Sequence, residues 1–189
     1  MEKFVPSVLL TAPNILTLLR VGLIPVLVLL AYLPYDWRYL AAAAVFLVAA
    51  ITDWFDGYLA RRLNQTSAFG RFLDPVADKL MVAAALILLV QWHADNLLVV
   101  VSAIIIVSRE ITISALREWM AELGKRASVA VSYIGKLKTT LQMSSITVLL
   151  VHDPRLDSVG FALLVVAAVL TLWSMCIYLK AAWPDLRNS

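Results

Sequence analysis

The sequence predicts an all-α integral membrane protein, a bundle of six transmembrane helices with both termini in the cytoplasm. Of the 189 residues, 62% are hydrophobic and only 15% are charged, with a mean hydropathy of +0.86. The apolar residues come in blocks of about 20, the length of helix that crosses a bilayer core. The basic residues collect at one set of block ends, as the positive-inside rule describes.

Six apolar blocks follow one another along the chain, and each is predicted to be a membrane span. They cover residues 14–33, 38–59, 73–91, 96–117, 129–151 and 159–180. We expect Pro25 to kink the first span. Longer, charged loops are predicted at 60–72 and 118–128, and a short cytoplasmic segment, 1–12, precedes the first span. Because the sequence shows no long linker or internal repeat, we expect residues 1–189 to form a single domain.

The basic residues orient the predicted bundle. With a cytoplasmic N-terminus, the inner ends of the spans hold fourteen of the 16 Lys and Arg, and only Arg38 and Arg155 lie outside. This asymmetry places both termini in the cytoplasm. Asn14 and Arg20 interrupt the first span and no A-x-A cleavage site follows it, so we expect the span to be retained rather than removed as a signal peptide.

Four aspartates stand at the facing ends of the second and third spans, in a chain that is otherwise strongly apolar. In a helix, Asp53 and Asp56 are three residues apart and Asp74 and Asp78 are four apart, so each pair shares a face. The second span rises about 21 Å before it reaches the first aspartate, which places the carboxylates near the cytoplasmic edge of the bilayer. Because clustered carboxylates repel one another, we expect two divalent cations, Mg²⁺ or Mn²⁺, to compensate them.

Small and basic residues lie between the two aspartate pairs. Gly57 and Ala60 lack bulk on the aspartate face of the second span, so a phosphate could approach the backbone closely there. Gly70 could do the same in the predicted loop, and Arg61 can pair with a phosphate through two hydrogen bonds. A single aspartate at a span end is more often a helix cap or a solvated residue. The combination, however, indicates phosphoryl transfer assisted by two metal ions.

The spacing D-x2-D-G-x2-A-R-x8-G-x3-D-x3-D, over residues 53–78, resembles the signature of the CDP-alcohol phosphotransferase family at all eight positions. With residue frequencies of about 5–8%, a chance match is on the order of 10⁻¹⁰ per starting position. Three further segments, 13–20, 108–126 and 135–140, resemble bacterial members of the family that use glycerol 3-phosphate as the acceptor. Together with the hydropathy pattern, the resemblance extends over nearly the whole chain.

The resemblance implies transfer of the phosphatidyl group from CDP-diacylglycerol to sn-glycerol 3-phosphate, with phosphatidylglycerol phosphate and CMP as products. It implies that the four aspartates hold two divalent cations, with Asp78 as a further ligand or as the general base. The implied CDP-binding residues are Gly57, Ala60, Arg61 and Gly70. We expect a homodimer in the bacterial cytoplasmic (inner) membrane, with the active site facing the cytoplasm, and no nucleic-acid partner.

Basic residues further along the chain are the candidates for binding the phosphate of glycerol 3-phosphate. They are Arg109, Arg117, Arg126, Lys136 and Lys138. The first of them follows twelve mostly apolar residues, and the second lies about two helical turns further on the same face. The alternative is ordinary anchoring of long cationic side chains at the membrane edge. Glu110 or Glu118 could also pair with some of these cations.

Polar residues on the first span form a weaker candidate set. Asn14, Thr17 and Arg20 could reach the nucleotide or a metal ligand, and Asn14 and Thr17 are therefore candidates for the nucleotide side of the site. A hydrogen bond that packs one helix against another is an equal alternative.

The sequence is also compatible with two other functions. The same chemistry could use another acceptor, such as serine, an inositol phosphate or phosphatidylglycerol. A divalent-cation transporter would also need membrane carboxylates, but transporters place them near the bilayer midplane rather than at one edge.

Overall fold

The computed structural model describes residues 12–63, 68–122 and 133–187, and these residues form six α-helices. The helices are α1 (Ala12–Ala31), α2 (Arg38–Leu63), α3 (Ala68–Trp92), α4 (Leu97–Glu122), α5 (Tyr133–Val151) and α6 (Pro154–Arg187). The described ranges contain no β-strand. The predicted all-α class and the number of helices are confirmed.

Three of the described helices are long and apolar enough to cross a bilayer. The crossing segments are Asn14–Ala31 in α1, Leu97–Glu122 in α4 and Pro154–Trp183 in α6. Large apolar side chains on these helices are exposed, with Leu29 at 69% and Ile104 at 60%. Such exposure suits a surface that meets lipid, where apolar side chains have no water to avoid. The chain is a membrane protein, while the crossing of all six helices and the cytoplasmic termini stay predictions.

The chain divides into two compact units, and the first holds the described residues up to 88 together with residues 150–152. In this unit α1 packs against α2. Small residues of α2, Ala42, Ala43 and Ala49, are buried in its core together with the larger Leu27 and Phe46. Small side chains let helix backbones approach closely, which is how helices associate in a membrane.

The second unit holds residues 89–149 and the described residues from 153 onwards, and α4 packs against α6 in it. The hydroxyl of Ser145 on α5 donates a hydrogen bond to the carbonyl oxygen of Gly160 on α6 at 2.9 Å. A Cβ atom at position 160 would lie only 2.5 Å from Cδ2 of the buried Leu149. The glycine therefore permits the close approach of α5 and α6. That residues 1–189 form one family domain stays a prediction.

Two helices extend into the segment that was predicted to be a charged loop. Because α2 continues to Leu63 and α3 begins at Ala68, the predicted loop is wrong at residues 60–63 and 68–72, and Arg61 and Gly70 lie in helices. Residues 64–67 of the predicted loop lie outside the described residues. Alanine, arginine and leucine are strong helix formers. Each residue added to an existing helix also gains a backbone hydrogen bond without a new nucleation cost. Helix length in this region therefore exceeds the length of the apolar run.

Side-chain caps set the beginnings of α4 and α6. Oδ1 of Asn96 accepts a hydrogen bond from the backbone N–H of Leu98 at 3.1 Å. Oδ1 of Asp153 accepts one from the backbone N–H of Arg155 at 2.9 Å. Such oxygens satisfy donors that the first helical turn leaves without an intrahelical partner, and Pro154 suits the first helical position. The sixth helix therefore begins at Pro154 rather than at the predicted residue 159.

The remaining boundaries also differ from the prediction. The fourth helix continues through Glu122, so the first part of the predicted loop at 118–128 is helical. The predicted start of the fifth span at residue 129 lies outside the described residues, as does the predicted cytoplasmic segment apart from Ala12. Pro25 lies inside α1, as the sequence indicated, and Pro75 lies inside α3.

Candidate active site

An ion pair joins α1 to the first predicted aspartate pair. Nη1 of Arg20 lies 2.8 Å from Oδ1 of Asp53 on α2. The Arg20 side chain is 1% exposed, whereas the Asp53 side chain is 47% exposed. The buried guanidinium therefore engages one carboxylate oxygen while much of the carboxylate stays accessible to a ligand.

A hydrogen bond joins the same helix to the second predicted aspartate pair. The hydroxyl of Thr17 donates to Oδ1 of Asp74 on α3. Thr17 is fully buried, and it lies three residues before Arg20 on the same face of α1. One face of α1 thus contacts a carboxylate on α2 and another on α3, although these two aspartates are far apart in the sequence.

On α3, the motif residues follow one another at intervals of four. Gly70 is buried, and Asp74 and Asp78 are partly buried. Because α3 is continuous from Ala68, these three positions share one face of the helix. The structure therefore supports the predicted placement of two carboxylates on one face, with a glycine one turn before them.

The rest of the motif lies near the end of α2. Asp56, Gly57, Ala60 and Arg61 all fall within this helix, but their side chains lie outside the described set. Because the helix runs without interruption from Asp53 to Leu63, the first three of them follow Asp53 at helical spacing, as predicted. Their predicted roles stay predictions.

The donor chemistry fits a hard divalent cation. Carboxylate oxygens are the ligands that Mg²⁺ and Mn²⁺ prefer in proteins. Within the described ranges, no three His, Cys, Asp or Glu side chains come together as a metal-binding group, and Asp56 lies outside that set. Asp53, Asp74 and Asp78 are the described members of the predicted metal site, and that they bind a cation together with Asp56 stays a prediction.

A second polar cluster lies in the other unit, on α4, α5 and α6. Oε1 of Glu110 accepts hydrogen bonds from Nη1 of Arg109 at 2.8 Å and from Nζ of Lys138 at 2.9 Å. Arg109 also donates from Nη2 to the hydroxyl of Ser174 at 3.3 Å. The side chains of Lys138 and Arg109 are only 5% and 11% exposed. The expected pairing of Glu110 with some of the candidate cations is thus present.

Tyr178 of α6 contacts two of the candidate arginines. The Cζ atoms of Arg109 and Arg117 lie 5.7 Å and 5.5 Å from the centre of its ring, within the range of a cation–π interaction. Nη2 of Arg117 also donates a long hydrogen bond to the Tyr178 hydroxyl at 3.4 Å. Arg117 is exposed, and none of the described carboxylates forms an ion pair with it. Two other predicted cations are not described: Arg126 lies outside the described residues, and Lys136 is on α5 with its side chain outside the described set.

Ser174 and Tyr178 were not predicted from the sequence. Both are isolated polar residues inside an apolar span, and such residues are common in membrane helices without a binding role. Only their contacts with α4 distinguish Ser174 and Tyr178 from polar residues that have no binding role.

The chain matches the family model for CDP-alcohol phosphatidyltransferase over residues 10–173. A curated relative from Pseudomonas fluorescens is 55% identical over 180 residues, covering 93% of this chain and 92% of the relative. Relatives from Escherichia coli (strain K12) and Shigella flexneri are 58% and 59% identical over 178 residues, each covering 93% of this chain and 97% of the relative. All three are named CDP-diacylglycerol–glycerol-3-phosphate 3-phosphatidyltransferase.

This chain therefore belongs to the CDP-alcohol phosphatidyltransferase family, and the resemblance found in the motif is confirmed. Enzymes of this family generally depend on a divalent metal ion. The family match begins before α1 and ends at residue 173 within α6, so it includes the aspartate motif, Arg109, Glu110 and Lys138 but not Ser174 or Tyr178.

Proposed function

We propose that this protein transfers the phosphatidyl group of CDP-diacylglycerol to sn-glycerol 3-phosphate, forming phosphatidylglycerol phosphate and releasing CMP. The observation that carries the proposal is its 55–59% identity, over nearly the full length of both chains, to bacterial enzymes named for this reaction. Half-buried carboxylates in an apolar helical protein support it, because charged groups in such a setting are costly unless they serve a function.

Asp53, Asp56, Asp74 and Asp78 are the proposed ligands of two divalent cations, Mg²⁺ or Mn²⁺. When bound, the cations would stabilise the negative charge that develops on the departing CMP. Four carboxylates carry four negative charges, and two divalent cations balance them. The ion pair of Asp53 with Arg20 and the hydrogen bond of Asp74 with Thr17 each involve Oδ1 of the carboxylate. A carboxylate has two oxygens that can accept, so such a contact is compatible with metal binding by the same group.

Asp78 is the proposed general base. It takes the proton from the 1-hydroxyl of glycerol 3-phosphate, and that oxygen attacks the phosphorus that carries diacylglycerol. The bond from this phosphorus to the CMP oxygen breaks, and CMP leaves with the electron pair. The proposed contacts to the CDP group come from Gly57, Ala60, Arg61 and Gly70.

A binding site for the phosphate of glycerol 3-phosphate requires cationic side chains. We order the candidate residues by the contacts that they make in the second unit. Arg109 and Lys138 share the carboxylate of Glu110, which offsets one of their two positive charges. Arg117, by contrast, contacts a neutral tyrosine and is exposed. Because a phosphate is attracted most by a cation that has no carboxylate beside it, we place Arg117 first and Arg109 second among the described candidates. Lys138 fits a structural role better, while Arg126 and Lys136 stay candidates from the sequence alone.

Arg117→Ala is expected to raise the KM for glycerol 3-phosphate about 10- to 100-fold, because a hydrogen bond to a charged group contributes roughly 1.5–3 kcal/mol. The KM for CDP-diacylglycerol should stay within about two-fold, since the lipid substrate does not use this contact. Initial rates of the purified enzyme in detergent micelles, with each substrate varied in turn, measure both constants. Arg155→Ala, at an exposed arginine near the start of α6, is the matched control. An equal rise in both KM values would indicate a structural role for Arg117.

The proposed location is the bacterial cytoplasmic membrane, with the active site facing the cytoplasm. The asymmetric distribution of Lys and Arg supports this orientation. Glycerol 3-phosphate is a water-soluble anion, while the acyl chains of CDP-diacylglycerol stay in the bilayer, so a site at the membrane edge can receive both substrates. A homodimer is proposed on the family resemblance.

Release of CMP by the purified protein tests the proposed function. CDP-diacylglycerol is supplied with glycerol 3-phosphate, serine, an inositol phosphate or phosphatidylglycerol, each with Mg²⁺, Mn²⁺ or a chelator. We expect CMP release only with glycerol 3-phosphate and a divalent cation. Faster release with another acceptor would change the assigned substrate. Cation flux into vesicles without any CMP release would instead identify a transporter.

A further inference from the structure

Three polar side chains form a buried stripe on α1. Asn14, Thr17 and Arg20 are 1%, 0% and 1% exposed, and they recur at intervals of three along one face of the helix. This stripe begins the segment of α1 that is apolar enough to cross the membrane. Burial of polar and charged groups in such a place is costly unless they are paired. The pairing partners of the stripe therefore indicate what it does.

Two partners of the stripe are proposed metal ligands. Thr17 donates its hydroxyl proton to Oδ1 of Asp74, and Arg20 forms an ion pair with Oδ1 of Asp53 at 2.8 Å. Asp53 and Asp74 belong to different helices, and each contact comes from the same face of α1. One face of α1 thus contacts one carboxylate from each aspartate pair.

We propose that Thr17 and Arg20 are positioning residues that orient Asp74 and Asp53 for cation binding. The inference rests on the proposed function, because it takes these carboxylates to be metal ligands. A carboxylate has two oxygens, and each contact engages Oδ1. Because Oδ1 is held by its partner on α1, the carboxylate rotates less freely. The second oxygen of each carboxylate therefore has a restricted position before a cation binds.

Burial favours this positioning role over direct contact with the nucleotide. Thr17 is 0% exposed, so its hydroxyl has no surface that a nucleotide could touch. A hydroxyl has one proton to donate, and an ionised carboxylate can only accept. The proton of Thr17 is therefore committed to Asp74. The Arg20 side chain is 1% exposed, while its partner carboxylate is 47% exposed, so a ligand meets the aspartate rather than the arginine.

Thr17→Val tests the hydrogen bond, because valine has nearly the shape of threonine and lacks the hydroxyl. Thr17→Ser keeps the hydroxyl and is the matched control. The measurement is the Kd for Mn²⁺ of the full-length protein in detergent, without substrates, from the electron paramagnetic resonance signal of free Mn²⁺. Loss of a group that orients a metal ligand typically weakens binding about 10- to 100-fold. We expect Thr17→Val to raise the Kd at least about 10-fold and Thr17→Ser to stay within about three-fold of the parent.

Arg20→Lys provides a second test that does not depend on the threonine. Lysine keeps the positive charge but lacks the planar guanidinium that fixes the geometry of an ion pair. We expect the Kd for Mn²⁺ to rise several-fold, while the circular dichroism spectrum stays that of the parent. If Thr17→Val does not fold, Arg20→Lys still decides between orientation and no effect on the metal, because an unchanged Kd for Mn²⁺ would overturn the inference.

Three outcomes would overturn the inference or separate it from the proposed function. An unchanged Kd for Mn²⁺ together with a raised KM for CDP-diacylglycerol would show that Thr17 contacts the nucleotide. An unchanged Kd together with a lower unfolding midpoint would show that the stripe only packs helices. If the parent protein releases no CMP with glycerol 3-phosphate, while Mn²⁺ binding still depends on Thr17, the proposed function fails and the positioning role stands.

Discussion

Asp78→Asn is expected to lower the kcat for phosphatidyl transfer by about 10²- to 10⁴-fold, the usual contribution of a general base. Asparagine has nearly the size of aspartate, so the packing of α3 should change little. It lacks the charge and the proton affinity that the proposed step requires. The rate of CMP release at saturating substrates and Mn²⁺ is the measurement.

Binding of Mn²⁺ by the same variant separates the two roles proposed for Asp78. If the residue acts only as the base, the Kd for Mn²⁺ stays near that of the parent while turnover is lost. If it is also a ligand, the Kd rises with the loss of turnover. Asp153→Asn is the control, because it removes the same charge and keeps the oxygen that caps α6. Near-normal turnover of Asp78→Asn with metals bound would mean that another residue or the metal itself activates the hydroxyl.

Glu110→Gln is expected to destabilise the protein by roughly 3 kcal/mol, because it leaves two nearly buried cations without their shared carboxylate. Arg109 and Lys138 both donate to Oε1 of Glu110, from α4 itself and from α5. Glutamine keeps the shape of glutamate but not its charge, so the effect reports on electrostatics rather than on packing. Unfolding in mixed detergent micelles, followed by circular dichroism, gives the free energy of unfolding.

A matched variant and a double variant sharpen this prediction. Glu118→Gln removes the same charge from an exposed position of α4, and such surface changes usually stay within about 0.5 kcal/mol. Adding Lys138→Met to Glu110→Gln removes one of the unpaired cations, so the double variant should be more stable than the sum of the single effects indicates. Equal unfolding free energies for the Glu110 and Glu118 variants would contradict a stabilising role for the cluster.

Helix number and approximate helix positions were predictable because they depend on local properties of the sequence. A run of about 20 apolar residues and the breaks between runs suffice to place a membrane helix. The ends were less predictable. Residues 60–63 and 68–72 are helical although they are polar or lie beyond the apolar run, because helix propensity and elongation continue where hydropathy stops.

The motif between residues 53 and 78 was also readable without a structure. Its spacing places aspartates on shared helix faces, and the family match over residues 10–173 confirms the resemblance that this spacing suggested. The acceptor side was less predictable, since the sequence does not show which of the five candidate cations contact a carboxylate. Only the contacts of Glu110 and Tyr178 distinguish Lys138 from Arg117.

The sequence by itself determined the membrane class, the six helices and the aspartate motif, because each of them depends on the spacing of residues that are close together in the sequence. The tertiary structure decided which polar residues contact one another. Thr17 contacts Asp74, and Arg20 contacts Asp53, across separations that no helical period connects. Such pairs depend on how α1 packs beside its neighbours. The physical reason is that a buried polar group must find a partner wherever packing places one, and packing is a property of the whole fold.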